Sequence, residues 1–135
     1  MILVDLNVLL DVIQQREPHY RASAAVLEEV VRRRVEGGLA AHGLTTAHYL
    51  VRRYQDGPTA DGAVDWLLRY FTILGVGQVE LVRARGLGWQ DFEDAVVAAV
   101  AEASGCAAIV TRNVKDFAAS PVAALTPEEY LASTV

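Results

Sequence analysis

The chain reads as an α/β domain with a mostly parallel sheet and right-handed crossovers. Short apolar segments of strand length alternate with helical patterns from one end to the other. The clearest late segment, Ala107 to Val110, is apolar throughout, as a parallel strand covered on both faces must be. At 135 residues the length suits one domain, residues 1–135, with enough chain to bury a core unaided.

The opening, Met-Ile-Leu-Val-Asp-Leu-Asn-Val-Leu-Leu, predicts a first strand that ends at Asp5. Asn7 to about Gln15 then reads as a short helix, interrupted at Arg16-Glu17-Pro18 because proline supplies no helical N–H. A second helix is predicted from about Pro18 to Val35. Ala22, Ala25, Val26, Val30 and Val31 recur there at helical spacing, and Gly37-Gly38 reads as its stop. Leu39 to His42 is a candidate buried strand. Thr45 or Thr46 is positioned to cap a helix that carries Tyr49, Leu50 and Tyr54 and breaks at Asp56-Gly57-Pro58.

A helix from about Thr59 to Phe71 follows, with Ala63, Trp66, Leu67 and Tyr70 on one side, and then a strand over Thr72 to Val76. Gln78 to about Arg85 forms a short helix before a flexible joint at Gly86-Leu87-Gly88. Asp91 and Asp94 precede a small-residue helix, Ala95 to Ala103, which Gly105 stops. After the strand at 107–110, Thr111 to Phe117 is a polar loop. Val122 to Leu125 is a last short strand, and Thr126-Pro127-Glu128-Glu129 opens a terminal helix with proline at its first position.

Composition narrows the function classes. A hydrophobic fraction of 53% with 21% charged residues is that of a globular protein. The single cysteine, Cys106, excludes an internal disulfide and a cysteine-based zinc site, and points to core packing in a reducing cytoplasm. No apolar run approaches the ~20 residues of a membrane span, and Asp5 interrupts the opening run before it reaches the length of a secretory signal. A soluble, cytoplasmic protein with no membrane partner is expected. The formal charge of −5 argues against a general attraction to nucleic acid. The arginines are nonetheless grouped, at 32–34, 52–53, and 83 with 85. Two readings stay open: a local phosphate-binding face, or helix faces paired with carboxylates such as Glu28 and Glu29.

Polar residues that follow the strands carry the chemistry. In such a sheet ligands bind beyond the carboxyl ends of the strands. Asp5 and Asn7 follow the first strand, Asp91 and Asp94 begin the late helix, and Thr111, Asn113 and Asp116 follow the late strand. Each acid also has a purely structural reading as a helix cap or first-turn residue. Several carboxylates drawn together repel one another unless a cation compensates, and hard divalent ions such as Mg²⁺ or Mn²⁺ prefer oxygen ligands. A metal site accounts for the whole set more economically than separate caps. His42 and His48 have two readings, a substrate-facing base or a partly buried structural histidine. Trp66, Tyr70 and Phe71 are expected in the core, and Trp89 either packs under its loop or stacks on a base.

Three segments carry a resemblance: Val4 to Leu10, Asp91 to Val96, and Ile109 to Phe117. They resemble the signature segments of PIN-domain proteins, a family that includes the VapC-type toxins of bacterial and archaeal toxin–antitoxin pairs. The tail Leu125-Thr126-Pro127-Glu128-Glu129-Tyr130-Leu131 is similar to that of one bacterial subgroup. The resemblance implies a PIN-like three-layer sandwich, a four- to five-stranded sheet flanked by helices. It also implies an endoribonuclease dependent on Mg²⁺ or Mn²⁺, inhibited by a small antitoxin protein, and a homodimer. Carried over by position, Asp5 and Asp94 are the main metal ligands and Asp91 and Asp116 contribute. Asn7, Thr111 and Asn113 orient ligands or the scissile phosphate.

One position departs from the family pattern. Thr46 stands where an acid is common, and no acid lies between Leu39 and Tyr54. That departure supports a competing reading, a catalytically weakened scaffold that binds nucleic acid or protein. A phosphotransferase of the haloacid dehalogenase type needs a second Asp where Asn7 stands. A receiver domain needs an acidic pair directly after the first strand. Neither pattern is present.

Overall fold

A computed structural model describes residues 1–134. The elements run β1 (Ile2–Val4), α1 (Leu6–Ile13), α2 (Tyr20–Val31), β2 (Gly37–Ala40), α3 (Ala41–Tyr54), α4 (Gly57–Tyr70) and β3 (Thr72–Leu74). They continue with α5 (Gln78–Leu87), α6 (Phe92–Ala103), β4 (Ala108–Val110), a 3₁₀ turn (Val114–Phe117), β5 (Ala124–Leu125) and α7 (Pro127–Ser133). The five strands form one sheet in the order β3-β2-β1-β4-β5, and every pair is parallel. The chain therefore winds one way from β1 through β2 to β3 and then returns to the other side of β1 at β4.

Alternation along the central strands assigns the two faces. Ile2 and Val4 of β1 join Leu39, Ala108 and Val110 against α1, α2, α3, α4 and α7. Leu3 and Ile109 face the other way, toward the alanine- and valine-rich α6 and toward Ala84 of α5. Ala95 through Ala101 are all buried, so α6 lies on the sheet through small side chains. This is the three-layer arrangement that the alternating sequence calls for. Trp66 and Tyr70 pack against the core and Phe71 is buried within it. Cys106 is buried and free.

Three local expectations need correction. Gly37-Gly38 is not the stop of α2 but the start of β2. A Cβ on Gly37 would lie 2.8 Å from a Val30 methyl and 2.9 Å from the Phe71 ring, and one on Gly38 would lie 2.8 Å from Leu74. Absence of a side chain lets the strand pass beneath these residues. The helix ends earlier, at Val31, with Arg33 in the left-handed region at φ 58°. Gly37→Ala should therefore cost about 1–3 kcal/mol as an overpacking substitution, read by urea unfolding. A cost near zero would mean that Val30 and Phe71 give way freely.

The second correction concerns Thr45 and Thr46, which cap nothing. The helix begins at Ala41, and both hydroxyls donate back to the His42 carbonyl, at 2.9 and 3.0 Å. The third concerns Gly86-Leu87-Gly88, where α5 continues through Leu87 and only Gly88, at φ 71°, closes it. The break at Asp56-Gly57-Pro58 is real and also starts α4: Asp56 accepts from the Thr59 N–H at 2.6 Å. At the tail, Thr126 and Glu129 bond each other's backbone N–H at 3.1 and 2.9 Å, and Pro127 takes the first helical turn.

Candidate active site

The strand order reverses between β1 and β4, and in an open parallel sheet the crevice for a ligand lies at such a point. Asp5 ends β1 there. Its backbone N–H donates to the Val110 carbonyl at 2.9 Å, which fixes the end of β1 against β4. One carboxylate oxygen accepts from the Leu6 N–H at 2.9 Å and caps α1, while the other accepts from the Thr111 hydroxyl at 2.8 Å. The capping reading of Asp5 is therefore correct for one oxygen, and the other oxygen is tied to Thr111.

Thr111 is fully buried and central to the network. Its hydroxyl oxygen also accepts from the Asn7 amide at 3.3 Å and from the Asn113 N–H at 3.1 Å. The Asn7 carbonyl oxygen accepts from the Arg112 N–H at 3.3 Å. Asn7 and Thr111 thus tie the first turn of α1 to the loop after β4. Asn113 joins this network through its backbone, and its side chain is exposed.

Arg112 extends the tie inward. Its Nε donates to Asp11 Oδ2 at 2.7 Å, and the Ser23 hydroxyl donates to the same oxygen at 3.0 Å. Asp11 is completely buried, and its Oδ1 has no partner among the described residues. Sequence reasoning missed this residue. The available signal was a lone acid inside the apolar run Val8 to Ile13.

The remaining acids surround Asp94 at the start of α6. Asp91 is the cap of that helix and accepts from the Asp94 N–H at 3.0 Å, so its structural reading is correct. Asp116 is exposed on the 3₁₀ turn. Burial first, and then the charges of Asp91, Asp5, Asp116 and Glu93, push the Asp94 carboxyl up to about 7. Burial is also the main reason that Asp5 lies above the ordinary carboxylate range, opposed by its Thr111 and Leu6 bonds. Glu93, within the segment Asp91 to Val96, belongs to this electrostatic group as well.

Carboxylates that raise one another's affinity for protons form a site that a cation would relieve. The donor set is all oxygen, which suits Mg²⁺ or Mn²⁺. Among the described residues no three His, Cys, Asp or Glu side chains converge as a ready cage. The fit is therefore to an ion held by one or two carboxylates that retains several waters, the usual state of protein-bound Mg²⁺. Asp5 and Asp94 could hold such an ion.

Neighbouring groups divide between the open readings. Thr46, with its hydroxyl bonded to a backbone carbonyl, supplies no replacement for the missing acid. His48 pairs with Asp61 at 2.8 Å and links α3 to α4. His42 is partly buried, with Nδ1 enclosed and without a partner among the described residues, and it borders a small cavity with Asp5 and Glu93. Trp89 packs edge-on against Phe117, with ring centres 5.7 Å apart. Arg32, Arg34 and Arg83 pair with Glu28, Glu29 and Glu102, which favours the paired-face reading for these three.

A parallel α/β sandwich with a carboxylate pair at its switch point defines a class, and sequence comparison agrees with it. The PIN-domain model matches residues 1–115, and the chain belongs to the PIN-domain family. Among solved structures it is similar to VapBC2 from Rickettsia felis bound to a promoter DNA fragment, with a TM-score of 0.74 at 18% identity over 93% of this chain and 98% of that one. FitAcB from Neisseria gonorrhoeae superposes with a TM-score of 0.72 at 22% identity over 95% and 99%. VapC20 of Mycobacterium tuberculosis, a toxin that cleaves the sarcin–ricin loop, gives 0.72 at 17% identity over 88% and 95%. No curated protein sequence matches. Among the described residues no helix is long and apolar enough to cross a membrane.

Proposed function

We propose that residues 1–135 form one PIN-like domain that hydrolyses RNA phosphodiester bonds with Mg²⁺ or Mn²⁺, as the toxin of a toxin–antitoxin pair in the cytoplasm. The observation that carries this reading is the Asp94 carboxyl, set among Asp5, Asp91, Asp116 and Glu93 and raised to about 7. A bound divalent ion would supply a Lewis acid and an activated water at the phosphodiester. Asp5 and Asp94 hold the ion in this account, and Asp91 and Asp116 add negative charge around it. Thr111 keeps one Asp5 oxygen in place, and Asn7 fixes Thr111 against α1. The exposed Asn113 amide meets the scissile phosphate in this account.

The likeness to VapBC2 and FitAcB supports a small antitoxin as partner. A homodimer is supported by α5, which leaves Val79 and Val82 76% and 64% exposed beside the half-exposed Phe92.

The second reading, a weakened scaffold that binds nucleic acid or protein, is favoured by the absence of a three-ligand cage among the described residues and by the bonded Thr46 hydroxyl. Incubation of the purified protein with total RNA and with structured and single-stranded oligoribonucleotides separates the two. Fragments that appear with Mn²⁺ or Mg²⁺, vanish with chelator and are absent with Asp5→Asn support the nuclease. No metal-dependent fragment from any RNA would leave the scaffold.

A further inference from the structure

His42 stands in the first turn of α3 and lines an enclosed cavity with Asp5, Glu93, Leu3, Leu39 and Val97. Its Nδ1 is shut off from solvent and has no hydrogen-bond partner among the described residues. Buried polar atoms are normally bonded, so an enclosed ring nitrogen beside two carboxylates marks a place where a donor is due. The ring is also close enough to Asp5 that a proton on it would favour the Asp5 carboxylate, against the effect of burial and of Glu93. His42 therefore belongs to the surroundings of the metal site.

Few groups suit this cavity. Its volume is about 10 Å³, close to the least that holds one water. An anion would meet Asp5 and Glu93, and an apolar group would leave Nδ1 unbonded. His42, Asp5 and Glu93 do not ligate one ion directly, since among the described residues no three such side chains converge. A single water bridges the gap. A water bound to a cation turns its hydrogens away from the ion, and the lone pair of a neutral imidazole accepts one of them.

We propose that His42 is a positioning residue of the metal site, whose Nδ1 lone pair accepts a hydrogen bond from one water of a divalent cation carried by Asp5. Thr46, where no acid stands, lies one helical turn further along the same face of α3, with its hydroxyl spent on the His42 carbonyl at 3.0 Å. An imidazole thus serves on the face of α3 that lacks a carboxylate. The inference rests on the metal-dependent nuclease reading and adds to it a neutral nitrogen partner. Of the two readings that the sequence left for His42, neither is complete: the ring is partly buried, and it faces the metal's water rather than the substrate.

The test separates Nδ1 from the rest of the ring. Asparagine sets an amide oxygen about where Nδ1 stands, glutamine sets one about where Nε2 stands, and phenylalanine keeps a ring without nitrogen. The metal-stripped proteins are titrated with Mn²⁺ by calorimetry, and thermal unfolding in chelator reports the fold. His42→Phe and His42→Gln should bind Mn²⁺ about tenfold more weakly than the parent, and His42→Asn within about threefold of it, as loss or retention of an outer partner implies. The metal-free Tm should not follow that order, as it would if the ring served only packing. An unchanged Kd in His42→Phe overturns the proposal, and so does a loss in His42→Asn as large as in His42→Phe. Long-range ¹H–¹⁵N NMR of the parent decides the matter if the variants do not fold. Mg²⁺ should move the His42 Nδ1 resonance and leave His48, paired with Asp61, in place; an unmoved His42 resonance overturns the proposal. Mn²⁺ binding equal in parent and variants would sink the role of His42 and spare the metal site. No Mn²⁺ binding by the parent would sink both.

Discussion

Asp94→Asn is expected to lower metal-dependent RNA cleavage by at least about 100-fold, because loss of an outer partner alone commonly costs 10–100-fold in metal affinity or activity. The same variant should stabilise the metal-free protein at neutral and alkaline pH. Asp94 has a folded-state pKa of about 7 against an ordinary 3.8, so the metal-free fold binds a proton that the unfolded chain releases. Its favourable contribution is complete below about 3.8 and is lost as pH rises to about 7 and above. Asp5 is shifted in the same direction.

Thermal unfolding from pH 4 to pH 8 in chelator should therefore show the parent losing stability relative to Asp94→Asn. The gap should widen through pH 7 to a few degrees in Tm, since solvent screening reduces the effect at a partly exposed group. Parallel curves would mean that Asp94 does not carry the mutual repulsion of the cluster. Loss of activity with a gain in metal-free stability is a pair of effects that a residue serving only the fold would not give.

The second large effect concerns the strut beneath the site. Arg112→Ala leaves the buried Asp11 carboxylate with only the Ser23 hydroxyl and one oxygen already unpartnered. A buried charge stripped of its partner costs about 3–5 kcal/mol, and denaturant unfolding should show a loss of that order. Replacing both partners, as in Asp11→Asn with Arg112→Met, should recover much of the loss, because the cost comes from the orphaned charge. Arg112 also donates its backbone N–H to Asn7, so the strut helps to place the Asn7–Thr111–Asp5 chain. A single-variant loss below about 0.5 kcal/mol, the usual range of surface substitutions, would show that the pair is dispensable.

Residues legible in the sequence were those whose local surroundings conflict with their chemistry. Asp5 stands out against Met1–Val4, and Asp94 against the apolar helix that follows it, and the charge of Asp5 is felt at Asp94. The parallel sheet was legible for the same reason, since apolar strand and helix patterns alternate without a break. What the sequence hid depends on distant partners. Asp11 looks like one polar residue of a helix until Arg112, 101 positions away, closes on it. Gly37-Gly38 has the composition of a helix stop, and only the crowding by Val30, Phe71 and Leu74 makes those glycines strand residues. Asp91 shows how one residue can carry two readings, because a carboxylate in the motif spends one oxygen on its own helix.

The central claim is that the carboxylates at the end of β1 and the start of α6 bind a divalent cation. A calorimetric titration of the metal-stripped protein with Mn²⁺, run beside Asp94→Asn, tests it most directly. The account predicts saturable binding by the parent in the micromolar to low millimolar range and none by the variant. Absence of binding in both, or equal binding in both, would contradict it and leave these acids as helix caps on a binding scaffold.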